Sequence, residues 1–208
     1  MLFSHNSSRV QAFSDAVFAF AATLLVFSFD MGSDFAFSRD TVTGFLCFFV
    51  GFFVLVGLWW VHYNFFRRTA YLDNGIIALN CVLLFVVLYY VFPLKELIKS
   101  WMGTGAYSRS NLAQLFVSYG LGFTLLFLCL ALMYWRAKKG TTEAENTVML
   151  HFYSRHFAIF VLVGALSVAL ALLQVGIQYG LPGITYFLIG PLCYWHSHRF
   201  FKNRPHEN

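Results

Sequence analysis

The sequence predicts an all-α integral membrane protein of six transmembrane helices, and three observations predict it. Apolar residues make up 59% of the 208 and charged ones only 11%, more apolar surface than a soluble domain of this length can bury. The apolar residues fall in long unbroken blocks instead of the short alternating segments of a transmembrane β-barrel. The few formal charges cluster between those blocks, which are long enough for the ~20 residues a helix needs to cross the hydrocarbon core.

The charges divide the chain into spans in order. The first runs from about Arg9 to Asp30, the second lies within Thr41 to Phe66, the third within Asn74 to Leu94, and the fourth within Ser110 to Trp135. From His156 to His198 there are 43 residues without a formal charge, too many for one crossing. Gly180, Pro182 and Gly183 punctuate that stretch, so Gly176 to Gly183 is expected to break it into a fifth span and a short sixth. Pro191 falls in or at the edge of the last span and suggests a kink there. The stretch from Arg136 to Arg155 mixes Lys, Glu, Thr and Asn and reads as a solvated turn. Residues 1–208 read as one six-helix domain, with neither a linker nor an internal repeat. No cleavable signal peptide is expected.

Lys and Arg placement sets orientation. Of the 14 basic residues, ten share the side of the N-terminus: Arg9, Arg67, Arg68, Arg136, Lys138, Lys139, Arg155, Arg199, Lys202 and Arg204. Arg39, Lys95, Lys99 and Arg109 fall opposite. Both termini are therefore expected in the cytosol of a multi-pass cell-membrane protein. Trp101, Tyr107 and Trp135 read as interfacial anchors.

Several chemistries find no support. Cys47, Cys81, Cys129 and Cys193 stand singly inside apolar blocks, where thiols behave as small hydrophobes. There is no phosphate-binding glycine loop, no Ser/His/Asp constellation and no pair of intramembrane carboxylates, so no enzyme, cofactor or nucleic-acid partner is expected. His196, His198 and His206 lie among Arg199, Lys202 and Arg204. That basic tail fits anionic headgroups of membrane lipids better than a metal.

What remains is a polar set at one depth. A carboxylate inside a span costs roughly 2.5–3.5 kcal/mol on insertion scales, so Asp15 is seldom incidental. With the first helix rising from the inner side and the second returning to it, Arg9, Ser14 and Asp15 come level with Trp59, His62 and Asn80. Asp15 can accept from His62 or Asn80, and the Trp59 indole N–H needs an acceptor. The cluster either clips helices 1 to 3 together or serves transport. His62 could also sense protons.

The spacing Arg9-Val10-Gln11-Ala12-Phe13-Ser14-Asp15, with Trp59-x-x-His62 and Leu79-Asn80, resembles the signatures of the transmembrane protein 175 family of endolysosomal-type potassium channels and their single-repeat bacterial relatives. The likeness covers roughly the first hundred residues. It implies a potassium-permeable channel, with helix 1 lining the pore of a homotetramer and monovalent cations passing through. At ~100° per residue, Phe13, Ala16, Thr23, Leu24 and Phe27 fall within ~60° of Phe20, while Asp15 lies ~140° away and points back into the protein. Periodicity leaves ordinary packing or lipid contact open for this face. The resemblance makes Phe20, Thr23, Leu24 and Phe27 a hydrophobic constriction. The family usually carries Ile or Leu where this chain has Phe20. No T-V-G-Y-G filter occurs, so gating is expected by dewetting. The alternative is a proton-leak pathway or secondary carrier using Asp15 and His62, though broken midplane helices and repeats are not evident near them.

Overall fold

A computed structural model describes residues 7–28, 39–103, 107–141 and 144–202. The helices are α1 (Ser7–Ser28), α2 (Arg39–Arg68), α3 (Asn74–Trp101), α4 (Arg109–Gly140), α5 (Ala144–Leu172), α6 (Leu181–Ile184) and α7 (Ile189–Lys202), with 3-10 turns at Ile177–Tyr179 and Thr185–Leu188. The protein is all-helical, and α1 to α5 are each long and apolar enough to cross a membrane. Where the sixth span was expected stand α6, a 3-10 turn and α7, no one of which is by itself long and apolar enough to cross. The break before it falls where the glycines place it: Gly176 and Gly180 both take left-handed backbone conformations, which glycine adopts without a Cβ clash. Pro191 sits in the first turn of α7, where its missing N–H costs little.

The helices outrun the uncharged blocks. α3 continues through Pro93 to Trp101, past the expected end at Leu94 and taking in Lys95, Glu96 and Lys99. An apolar block ends where the hydrocarbon ends, whereas a helix ends where its backbone finds a cap. Ser108 caps α4, its Oγ accepting the Asn111 N–H at 3.2 Å. The expected solvated turn between Arg136 and Arg155 is mostly helix: α4 runs to Gly140 and α5 starts at Ala144.

Packing runs in sequence around the bundle. α1 lies on α2 and α3, α3 on α4, α4 on α5, and α5 on α6 and α7. The core of Leu25, Leu83, Val87, Leu126, Met133 and Tyr134 gathers mainly from the middle of the chain. At α4–α5 the backbones approach closely, because a Cβ at Gly120 would meet Val168 and one at Gly164 would meet Thr124. Small residues that admit such approach are the usual means of helix association in lipid.

At the basic end, a clamp joins α3 and α4 through the α2–α3 connection. Asp73 caps α3 by accepting the Ile76 N–H at 2.8 Å, and Arg136 of α4 donates to Asp73 at 2.8 Å. The Tyr71 hydroxyl donates to the same carboxylate at 3.3 Å. Burial pushes the Asp73 carboxyl up, but the Ile76 amide, Arg136 and Tyr71 outweigh it and hold it below the ordinary value. Arg68 extends the join, donating to the Tyr134 hydroxyl at 3.1 Å and covering the Tyr153 ring at 3.8 Å.

Candidate functional site

Helix α1 carries two seams of 3–4 spacing. Ser14, Phe18, Ala21 and Leu25 form one and are buried; they face α2 and α3, on which α1 packs among the described residues. Phe13, Ala16, Phe20, Thr23 and Phe27 form the other and are exposed. Phe20 is 55% and Phe27 83% exposed. Leu24 is half-buried and packs against the core, at the margin of the exposed face. Thr23 donates its hydroxyl proton to the Ala19 carbonyl at 3.0 Å. Its oxygen therefore presents lone pairs to an approaching group.

The polar set separates into two parts. In the first, donors run one way. His62 Nε2–H donates to Asn80 Oδ1 at 2.7 Å, Asn80 Nδ2 donates to Ser14 Oγ at 3.0 Å, and the Ser14 hydroxyl donates to the Val10 carbonyl at 2.9 Å. The ends of this chain settle its directions, since a backbone carbonyl can only accept and the Asn80 amide can donate to Ser14 only through Nδ2. His62 thus carries its proton on Nε2. Exposures of 0% for Ser14, 1% for Asn80 and 2% for His62 make every one of these bonds necessary. Phe18 and Phe66 flank the His62 ring at centroid distances of 5.4 and 5.1 Å.

The second part is a single bond from Trp59 Nε1 to Asp15 Oδ1, 2.8 Å long. Asp15 is exposed on the flank of α1 that meets α2, beside a cavity of about 230 Å³ shared with Phe18, Leu55 and Trp59. This corrects the expectation that Asp15 points into the protein and accepts from His62 or Asn80. The helical wheel places Asp15 away from Phe20 but cannot tell the centre of the buried arc, where Ser14 sits, from its edge. No hydrogen bond among the described residues joins Asp15 to His62, and none ties Arg9, which is exposed, to either part. Arg204 and His206 lie outside the described residues.

Sequence reasoning missed the aromatic column that joins α3, α4 and the 3-10 turn Thr185–Leu188. Tyr90 packs on Tyr119 at 5.2 Å and Tyr119 on Tyr186 at 5.5 Å between centroids. The seven-residue interval from Tyr119 to Leu126 and Met133 on α4, continued four residues on by Ala137, was the available signal for that inward face.

The fold and this site define a multi-pass helical membrane protein in which, among the described residues, α1 keeps one face exposed, as several other helices do. The family model described as endosomal/lysosomal potassium channel TMEM175 matches residues 9–90, the stretch that holds every residue of the polar set. The crystal structure of a threonine-to-alanine variant of the potassium channel MtTMEM175, in complex with a nanobody fusion, superposes with a TM-score of 0.78 at 30% identity, covering 98% of this chain and 97% of that one. This chain belongs to the TMEM175 family. A potassium channel of Marivirga tractuosa is 39% identical over 64% of this chain and 60% of that protein. One of Chryseobacterium sp. (strain P1-3) is 27% identical over 58% of this chain and 59% of its own length. The matched segments thus span about three-fifths of these two relatives. A TMEM175 homolog from Chamaesiphon minutus shares the fold, with a TM-score of 0.58 at 21% identity.

Proposed function

We propose that this chain is a potassium-permeable cation channel in which four copies surround a central axis with α1 innermost. The observation that carries the reading is the exposed seam of α1, whose Phe13, Phe20 and Phe27 stand uncovered opposite a fully buried seam. One such helix cannot enclose a path, whereas four related by symmetry can. Rings of Phe20 and Phe27, with Leu24 at the margin, form a hydrophobic constriction that closes by dewetting. Thr23 offers an oxygen acceptor to a partly dehydrated cation between them. The distribution of Lys and Arg supports a cytosolic position for both termini. Permeation by monovalent cations follows the potassium-channel names of the relatives.

The carrier or proton-leak reading needs Asp15 and His62 in one relay. Their separate hydrogen bonds, to Trp59 and to Asn80, favour the channel.

Single-channel recording of Phe20→Ala and Thr23→Val beside the parent tests the proposal. Phe20→Ala is expected to raise cation flux and weaken discrimination between potassium and sodium. Thr23→Val, which removes an oxygen and preserves shape, should reduce selectivity with less effect on closure. Unchanged conductance and reversal potential in both variants would remove α1 from the pore. Native mass spectrometry showing only monomers in several mild detergents would remove the tetramer.

A further inference from the structure

The face of the bundle formed by α4, α5 and α7 lies away from α1, which packs on α2 and α3. In the groove between α5 and α7 is a cavity of about 530 Å³ lined by Arg155, Ala158, Leu162, Trp195, His196 and Arg199. Arg155 is the last formal charge before the uncharged stretch of α5–α7 and Arg199 the first after it, and both line this one cavity. Both are exposed, and neither has a carboxylate partner among the described residues. His196 Nδ1 in the same wall is buried with no hydrogen-bond partner among the described residues.

Below this polar mouth the groove turns apolar. Ala158 and Leu162 also line a second cavity, of about 390 Å³, on the α4 side of α5 with Leu128, Leu132 and Trp135. Leu162 is 71% exposed and lies about 10 Å deeper than Arg155, at 1.5 Å per residue. Two apolar grooves therefore straddle the exposed ridge of α5, and one of them opens onto two arginines. Trp195 and Trp135 mark the two outer rims, each with a cation over its ring: Arg199 at 5.5 Å and Lys139 at 3.6 Å. Tryptophans at that level are typical of the headgroup zone.

We propose that this face binds one anionic diacyl phospholipid, its phosphate held between Arg155 and Arg199 and its two acyl chains laid in the grooves on either side of Leu162. Guanidinium groups suit a phosphate oxygen pair in geometry as well as charge. Two guanidinium groups with no carboxylate partner among the described residues select an anionic headgroup over a zwitterionic one. The two cavities meeting at Ala158 and Leu162 call for a two-chain lipid, not a soluble phosphate. The inference goes beyond the channel reading and does not rest on it, because binding is read without flux.

The test is native mass spectrometry of the full chain in detergent, titrated with phosphatidylglycerol or with phosphatidylcholine of identical acyl chains. The parent should prefer phosphatidylglycerol by about tenfold or more, as expected for two surface charges. Arg155→Gln with Arg199→Gln should abolish that preference, whereas Arg67→Gln with Lys202→Gln, of equal net charge, should retain it. Leu162→Trp, which fills the grooves without altering charge, should weaken both lipids equally. Equal binding of the two lipids by the parent, or a preference that survives the double arginine variant, overturns the proposal. Displacement of phosphatidylglycerol by equimolar glycerol phosphate would also overturn it, since the grooves would then contribute nothing. If the double variant fails to fold, unaltered lipid binding by Leu162→Trp decides against the site alone.

Discussion

Replacing Asn80 by alanine should cost this protein more stability than replacing the motif carboxylate Asp15. Asn80 sits 1% exposed between two buried partners, donating to Ser14 and accepting from His62. Its removal leaves the His62 Nε2–H without an acceptor, at about 1–3 kcal/mol, and forfeits the Ser14 bond, at about 0.5–1.5 kcal/mol. Polar pairs inside membranes average nearer ~0.6 kcal/mol each, so the expected loss lies between about 1 and 4 kcal/mol. Asp15→Ala breaks one bond, to the half-buried Trp59. Water or detergent headgroups can reach that site, which holds the loss to about 1 kcal/mol or less. Asp15→Asn keeps an acceptor for Trp59 and should be nearly neutral. Denaturant unfolding of the three variants in one micelle system measures the order, and a Ser14→Ala/Asn80→Ala double-mutant cycle isolates the coupling. If Asp15→Ala costs as much as Asn80→Ala, the division of the polar set into a buried chain and a separate flank bond is wrong.

Three further outcomes follow from the packing. Gly164→Val should separate α4 from α5 where a Cβ already meets Thr124, costing about 1–3 kcal/mol by overpacking, visible as a lower unfolding midpoint. Gly140→Ala should drive the Tyr71 ring off the end of α4, a shift that near-ultraviolet circular dichroism or proteolysis of the α2–α3 connection would register. The Asp73 carboxyl is held below its ordinary value in the folded protein, so its contribution is complete above the unfolded value near 4 and fades as pH falls through the folded one. Asp73→Ala should therefore lower stability by about 1–2 kcal/mol at neutral pH, from the lost cap and ion pair. The deficit should close in acid, as parallel pH titrations of unfolding would show.

Where the helices cross was legible because charge is expensive in lipid, and the positions of Arg9, Arg68, Arg109, Arg136 and Arg199 bracket the blocks. The helix ends were not, because the caps at Asp73 and Ser108 and the run of α3 through Pro93 depend on backbone partners that hydropathy ignores. The membership of the polar set could be read from the cost of each group in hydrocarbon. Its wiring could not: Ser14 and Asp15 are neighbours in sequence but ~100° apart on the helix, and only the placement of α3 decides which one meets Asn80. The clamp of Arg68 and Arg136 was invisible too, since a basic residue at a membrane boundary already has a sufficient explanation in topology.

The one-way chain that ends on the Val10 carbonyl has a mechanical meaning. The buried Asn80–Ser14 bond pins α1 to α3 at that level, so a tilt of α1 that keeps the bond would have to pivot about Ser14. Phe20 lies six residues along this lever and Phe27 thirteen, arms of about 9 and 20 Å at 1.5 Å per residue. A swing of ~10° about Ser14 would carry Phe20 by ~1.6 Å and Phe27 by ~3.4 Å, a twofold gain on the same arms. The far ring would travel about twice as far as the near one for any such tilt, while Phe13 and Asp15, next to the pivot, would hardly move.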